Sequence, residues 1–260
     1  MQSGEVIRIR HWKGDYYQVV FYAPEVCRTA RPGQFVHVKI ANLEAHLLRR
    51  PFSINDVDPD SGALSVTCKV VGAGTAALVK LAPGTLCGVM GPLGNGYTVP
   101  EADETPVMIA GGYGAAAMYL VAKRAKNPGI LLLGARSAAD LILDDEYRKL
   151  GCDVRIATND GSAGRKGFVT ALLEEVLKSP EAARCRFYAC GPTPMLLAAG
   201  RMLLAAGHGR AELSLDQHMC CGVGACFACV VKVRDGEAWR YSRSCKEGPV
   251  YPAEEVYYDD

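Results

Sequence analysis

A chain of 260 residues, 49% of them apolar and 22% charged, is long enough for two domains with their own cores plus a small appendage. A formal net charge of +1 supplies no field that would gather nucleic acid or anionic lipid, so neither partner is expected. No apolar run approaches the roughly 20 residues of a membrane span, and the first residues lack the basic-then-apolar order of an export signal; a cytoplasmic protein is expected. The 11 cysteines are scattered from Cys27 to Cys245, unlike the framework of a small disulfide-stapled fold, and that too suits a reducing compartment.

Through the first hundred residues, short strand-like runs alternate with turn residues. The runs are Val6–Arg10, Tyr17–Tyr22, Gln34–Ile40, Pro51–Asn55, Ala63–Val71 and Thr85–Met90, broken by Lys13-Gly14-Asp15, Arg31-Pro32-Gly33 and Asp58 to Gly62. Such spacing predicts a small antiparallel β-barrel over residues 1–100, interrupted by one helix at Thr75–Leu81. Two stretches carry chemistry. In Arg50-Pro51-Phe52-Ser53 a guanidinium and a hydroxyl stand on one extended segment, suited to a pyrophosphate and a ring nitrogen; an arginine on a strand is otherwise a solvated or ion-paired surface group. In Gly72-Ala73-Gly74-Thr75 free N–H groups at a helix start would attract phosphate, or Thr75 simply caps the helix. Gly91 to Gly96 is expected to make the turn out of the barrel.

After the polar run Glu101 to Glu104 the period changes. Strand-like runs at Pro106–Ala110, Ile130–Ala135, Asp153–Thr158, Arg186–Cys190 and Ala211–Leu215 alternate with helical ones at Ala115–Lys126, Asp140–Leu150, Phe168–Lys178 and Pro194–Ala206. Alternation of this kind predicts a parallel, doubly wound nucleotide-binding domain over residues 101–212, with ligands beyond the carboxyl ends of its strands. Gly111-Gly112-Tyr113-Gly114 lies between the first strand and its helix, in the Gly/Ala form of the dinucleotide fingerprint; a tight turn without ligand would read the same way. The acidic residue expected about twenty positions on is absent, and Arg136 stands at the end of the second strand, able to bind a 2′-phosphate, stack on adenine or face solvent.

Residues 213–260 are expected to form a small third domain around Cys221, Cys226 and Cys229, spaced C-x4-C-x2-C, with Cys245 closing the set. That is the plant-type spacing for a 2Fe-2S cluster held by four thiolates. Gly222 and Gly224 let the backbone fold tightly around inorganic sulfide and present amide donors to it. Zinc, which favours two close C-x2-C pairs, and plain structural thiols are the competing readings. Cys220 adjoins the motif as a bystander, and no catalytic carboxylate pair or Ser/His/Asp arrangement is evident anywhere.

Arg-Pro-Phe-Ser, Gly-x-Gly-Thr and Gly-Pro-Leu-Gly, followed by Cys190-Gly191-Pro192-Thr193-Pro194-Met195, resemble the ferredoxin reductase superfamily. The resemblance implies FAD contacts at Arg50, Pro51, Phe52, Ser53, Gly74 and Thr75, with Thr67, Cys68 and Lys69 on the preceding strand, and a nicotinamide site at Cys190, Gly191 and Pro192. Domain order, Gly-Ala-Cys-Phe-Ala-Cys and the run Cys245 to Val250 resemble one family within it, the electron-transfer subunits of class 1B dihydroorotate dehydrogenase, over essentially the whole chain. Membership implies NAD, one FAD and one 2Fe-2S cluster, and an FMN-containing catalytic partner that oxidises dihydroorotate to orotate, two copies of each forming a heterotetramer. The small flavin and iron–sulfur subunit of a ferredoxin–NADP oxidoreductase or of a sulfide dehydrogenase has the same domain order and is the alternative. Two departures stand out: Cys220, where a small residue is expected, and Glu247, where an aspartate is more usual.

Overall fold

The computed structural model describes residues 2–43 and 45–258. Strands β1 (Gln2–Lys13), β2 (Tyr16–Tyr22), β3 (Phe35–Lys39), β4 (Arg50–Asp58), β5 (Ala63–Lys69) and β6 (Leu86–Leu93) close into an antiparallel barrel in the order β1-β2-β5-β4-β3-β6. Val19, Phe21, Val36, Val38, Ile54, Leu64, Val66 and Val89 pack its interior, so the two-residue alternation of the sequence becomes the inside and outside of the barrel. Two helices accompany the barrel rather than one. The unexpected α1 (Pro24–Thr29) starts on proline and buries Val26 and Cys27; at six residues it is too short for a helical period to show in sequence. The expected Thr75–Leu81 helix is α2 (Ala73–Leu78), begun two residues earlier because the Thr75 hydroxyl turns back to accept from the N–H of Val71 and Gly72. Gly91-Pro92-Leu93 continues β6 against Phe35 instead of turning, and the exit from the barrel comes after it.

The second sheet runs β10-β9-β8-β7-β11-β12-β15, from β7 (Thr105–Gly111), β8 (Ile130–Ala135), β9 (Asp153–Thr158), β10 (Arg165–Lys166), β11 (Cys185–Cys190), β12 (Ala211–Ser214) and β15 (Val250–Pro252). Helices α3 (Ala115–Arg124), α4 (Asp144–Lys149), α5 (Thr170–Leu177) and α6 (Thr193–Ala205) connect its parallel strands. α4 starts later than its polar first turn suggests, because Leu141, Ile142 and Leu143 go into the core as an irregular segment first. Chain order reverses between β7 and β11, where Ala110 pairs with Cys190; that is the switch point at which ligands of such sheets bind.

The expected boundary at 212/213 falls inside β12, and the chain beyond it does not form a separate body. After the irregular segment that carries Cys221, Cys226 and Cys229 comes a hairpin of β13 (Val230–Asp235) and β14 (Ala238–Arg243). β15 then joins the main sheet antiparallel to β12. Tyr251, Ala253, Val256 and Tyr258 finish in the core of the nucleotide-binding domain, with Val231 and Val233 of the hairpin beside them. A two-stranded hairpin is marginal alone in water, and this shared core is what holds it.

At the end of the sheet away from the switch point, the buried Glu104 carboxylate accepts from Arg186 Nε at 2.7 Å and pairs with Arg210 at 3.2 Å. Burial pushes its pKa up, but the bonds from Arg186 and from the Glu101 N–H, with the Arg186 and Arg210 charges, outweigh that and leave it below its ordinary 4.5. A depressed folded-state pKa contributes stability above the unfolded value, lost as pH falls through the folded one. Glu104→Gln should therefore cost about 2 kcal/mol near neutrality. Thermal melts of both proteins should converge as pH drops below 4.5, and a gap that widens there would contradict this account.

Candidate functional site

The two domains enclose one large cavity of about 1010 Å³ at the switch point, at the upper end of the roughly 300–1,000 Å³ typical of ligand sites. α3 is the shared wall: Leu120 belongs to the barrel core, and Lys123 pairs with Asp56 of β4 at 2.7 Å. Tyr97, in the connection, donates its buried hydroxyl to the Ala189 carbonyl and meets Tyr188 edge to face, 5.4 Å between ring centres. These contacts set the barrel strands opposite the strand ends.

From the barrel, β4 contributes Pro51, Phe52 and Ser53 to the lining, β5 contributes Thr67, Cys68 and Lys69, and α2 contributes Thr75. Arg50 and Gly74 do not line the cavity. They sit against each other at its rim: a Cβ on Gly74 would come within 2.8 Å of Arg50 Nε, and Arg50 Nη1 donates to the Leu48 carbonyl. From the sheet come Gly111, Gly112 and Gly114 after β7, and Cys190, Gly191 and Pro192 after β11. The glycines divide their work. A Cβ on Gly114 would lie 2.2 Å from the Cys190 carbonyl, and one on Gly111 2.5 Å from Pro192 Cδ, so these two let the strand ends close together. Gly112, at φ +56, faces open space with nothing within 4 Å, and it leaves room for a ligand in front of the α3 N-terminus.

Several lining residues escaped the sequence reading, among them Tyr16, Asp140, Tyr113, Phe168 and Asp216. Asp140 accepts from the Tyr16 hydroxyl at 2.8 Å, from Lys69 Nζ at 3.2 Å and from Arg136 Nε at 3.3 Å. Burial raises the pKa of Asp140, but these donors prevail and hold it below the usual range. An acid thus lines the cavity a few residues beyond the position where the fingerprint would have it, and the Arg136 guanidinium is turned onto it. Tyr113 and Phe168 present exposed rings to the cavity. Asp216, just beyond β12, is exposed within the cavity, where the protein groups surrounding it displace bulk water and raise its pKa. Burial, followed by the Asp216 charge, also pushes the Cys190 thiol well above the ordinary range. No spacing rule ties positions 16, 140 and 216 together; only the folded chain does.

The four cysteines of the motif come together on the outer face of the barrel. They meet as two pairs, Cys221 beside Cys226 and Cys229 beside Cys245. Cys226 is exposed and Cys221 partly so, while Cys229 and Cys245 are buried with Phe35 of β3, Leu93 and Met219. Backbone amides point at the sulfurs: Ala225 N to Cys221 Sγ at 3.3 Å, Val223 N to the same sulfur at 3.5 Å, Gly224 N to Cys245 Sγ at 3.2 Å and Cys245 N to Cys229 Sγ at 3.4 Å. Burial works against a Cys221 thiolate, but the N–H groups of Val223, Cys226 and Ala225 outweigh it and hold its pKa down. Burial, then the neighbouring Cys229 thiol, raises that of Cys245. Among the described residues no three His, Cys, Asp or Glu side chains gather as ligands of a single ion would. Two irons bridged by sulfide take two thiolates each, which is what the two cysteine pairs supply. The donor set and its amide bonds therefore fit a 2Fe-2S cluster.

Side chains outside the motif brace this loop. Arg243 Nη1 donates to the Gly224 carbonyl at 2.8 Å, and Glu247 accepts from Arg243 Nε at 3.0 Å and from its backbone N–H at 2.9 Å. Glu247, the residue longer than expected, thus acts on the cluster loop through Arg243. Asn95 ties the barrel exit to the same segment, its N–H on the Gly248 carbonyl and its amide on that of Glu247 at 2.7 Å. His37 of β3 lies beneath Gly222, fully buried, and burial followed by the Arg49 charge lowers its pKa.

Comparison with known proteins accords with both halves of this geometry. Residues 216–257 match the iron-sulfur cluster binding domain of dihydroorotate dehydrogenase B, and residues 108–200 match the oxidoreductase NAD-binding domain. The chain is 39% identical over 247 residues to the dihydroorotate dehydrogenase B (NAD(+)) electron transfer subunit of Shouchella clausii, covering 93% of this chain and 92% of that one. Its identity to the subunit of the same name from Fusobacterium nucleatum is 37%, covering 88% and 87%. Among solved structures, the NADH-dependent reduced ferredoxin-NADP oxidoreductase is similar at a TM-score of 0.80 and 30% identity, over 98% of this chain and 90% of that one. A Neisseria gonorrhoeae ferredoxin NADP+ reductase with bound FAD and NADP shares the fold at a TM-score of 0.64, covering 82% of this chain and 97% of that one at 16% identity. With full-length relatives well above 30% identity and both domain models in place, this chain belongs to the family of dihydroorotate dehydrogenase B electron transfer subunits.

Proposed function

We propose that this protein passes electrons between NAD and an FMN-containing catalytic partner that interconverts dihydroorotate and orotate, within a heterotetramer of two copies of each. Pairing of the cysteines on the outer face of β3, while its neighbour β4 lines the cavity with Pro51, Phe52 and Ser53, carries this reading. Cys221, Cys226, Cys229 and Cys245 hold the 2Fe-2S cluster. Pro51, Phe52, Ser53, Thr67, Cys68, Lys69 and Thr75 hold FAD, with Arg50 on Gly74 at the rim reaching its pyrophosphate. Gly112 admits NAD in front of α3, Gly111 and Gly114 close the strand ends beside it, and the nicotinamide subsite is Cys190, Gly191 and Pro192. Bound in this order, the flavin supplies the conversion between a two-electron hydride and the single electrons a cluster accepts.

The chain's own contribution is positional. Closure of the strand ends through Gly114 and Cys190 brings the nicotinamide subsite to the barrel wall and keeps water from the transfer. Buried Cys229 and Cys245 face the barrel, and exposed Cys226 faces outward, so the loop spans from the flavin side to the surface on which a partner docks. Three functional units follow, a barrel over 1–100, a nucleotide unit over 101–212 and a cluster unit over 213–260, the last returning to the sheet of the second. A cluster held by thiolates and a set of scattered free cysteines support a reducing, cytoplasmic location; among the described residues no helix is long and apolar enough to cross a membrane.

Overall similarity to the reduced ferredoxin–NADP oxidoreductase favours a second reading, in which the partner is the large subunit of such an enzyme. Reconstitution separates the two. Mixed with an FMN-containing dihydroorotate dehydrogenase subunit, the chain should reduce orotate with NADH, and neither protein alone should do so. Turnover of orotate by the isolated chain, or none by the mixture, would sink the proposal. Cys226→Ser should abolish the cluster's absorbance and electron delivery to the partner while NADH still bleaches the flavin anaerobically; a folded variant whose flavin no longer bleaches would show a different wiring.

A further inference from the structure

His37 is a buried polar residue that neither the sequence motifs nor the electron path uses. It lies near the middle of β3, paired with Pro51 of β4 on one side and Met90 of β6 on the other. Val36 and Val38 point into the barrel, so Phe35 and His37 share the outer face. Phe35 packs under Cys229 and Cys245, the inner thiol pair. His37 lies under the outer arm of the same loop, and a Cβ on Gly222, next to Cys221, would come within 2.5 Å of its Nδ1. The ring is 0% exposed, and neither Nδ1 nor Nε2 completes a hydrogen bond, although backbone groups of Arg49 and Cys221 are its polar neighbours.

A buried imidazole with both nitrogens unanswered is rare, because an unmet buried donor carries its full desolvation cost. Gly222, at φ +72, has no side chain to fill the space above Nδ1, so the ring edge abuts the ligand loop itself. A neutral imidazole has one N–H to give. The Arg49 and Cys221 backbones stand near the ring without completing a hydrogen bond to it, whereas thiolate and sulfide sulfurs are acceptors, and the loop that holds them lies on the side Nδ1 faces.

We infer that His37 is a positioning residue for the cluster: its buried ring seats the Cys221–Gly222 turn on the barrel and gives its N–H to the sulfur face the cluster presents there. The inference rests on the ligand set proposed above. Hydrogen bonds to sulfur stabilise the more negative, reduced state and raise a cluster's potential. His37 thus sets how readily electrons enter the cluster from a position outside the lining of the cavity.

The test is an anaerobic redox titration of the full chain with its FAD, followed by electron paramagnetic resonance, with iron content measured in parallel. His37→Leu, which fills the space without a donor, should retain iron but show shifted g values and a more negative midpoint potential. His37→Asn, which keeps an N–H, should stay near the unmutated protein in both. A Leu variant with unchanged g values and potential would overturn the inference, as would an Asn variant shifted as far as Leu. If the Leu variant fails to hold iron, the Asn variant decides alone: unchanged signals support the inference, and lost or shifted ones overturn it. Absence of a two-iron signal in the unmutated protein would instead remove the ligand reading, and this inference with it, before any variant is made.

Discussion

Everything in this molecule is arranged around a wall two strands wide. β3 and β4 are antiparallel neighbours in which Phe35 pairs with Ser53 and His37 with Pro51, so these four share the outer face, while Val36, Val38 and Phe52 turn into the barrel. Val36 and Val38 fill the barrel, Phe35 and His37 support the cysteine loop, and Pro51 to Ser53 close one side of the cavity. A redox relay needs its carriers close, and two laddered strands with a shared outer face set the cysteine loop beside the cavity on a rigid backbone whose donors and acceptors the ladder can meet. The glycines Gly222 and Gly94 let flanking backbone lie against this wall, one over His37 and the other against Gly248 and Phe35.

Opposite that wall, the nucleotide-binding sheet supplies a second surface whose position is fixed by shared packing and not by a linker. Leu120 of α3 enters the barrel core, Tyr97 bonds to the end of β11, and Asp140 takes donors from Tyr16 and Lys69 of the barrel. Polar bridges of this kind contribute little each when exposed, but here they converge on the mouth of one cavity. The tail of the chain repeats the device. β15 and Tyr258 return to the sheet, so the cysteine segment is anchored on both sides, by β12 before it and β15 after it. Segments without regular structure hold a ligand geometry only when their ends are clamped, and Arg243 with Glu247 tightens the clamp at Gly224.

Local patterns made much of this legible. Alternating apolar residues fall on barrel strands, the switch from a two-residue to a helical period falls at β7, and cysteine spacing marks the loop where four sulfurs meet. Errors gathered where length or register defeats periodicity. α1 is six residues long, β10 only two, and Leu141 to Leu143 are apolar without forming a helix because the core takes them directly. Arg50 and Gly74 are a separate matter: they stand together at the rim of the cavity, with the Arg50 side chain bent over Gly74 to the Leu48 carbonyl.

Sequence alone determined the order of the units, the cysteine set and the glycine turns, because each depends on residues close in the chain or on spacings set by backbone reach. Tertiary structure decided which barrel strand lies under the cysteines, that Asp140, Tyr16 and Lys69 form one hydrogen-bonded group, that Asp216 opens onto the cavity, and that His37 is sealed beneath Gly222. Those contacts join residues tens to hundreds of positions apart, and their partners are chosen by burial and packing, which no local pattern encodes.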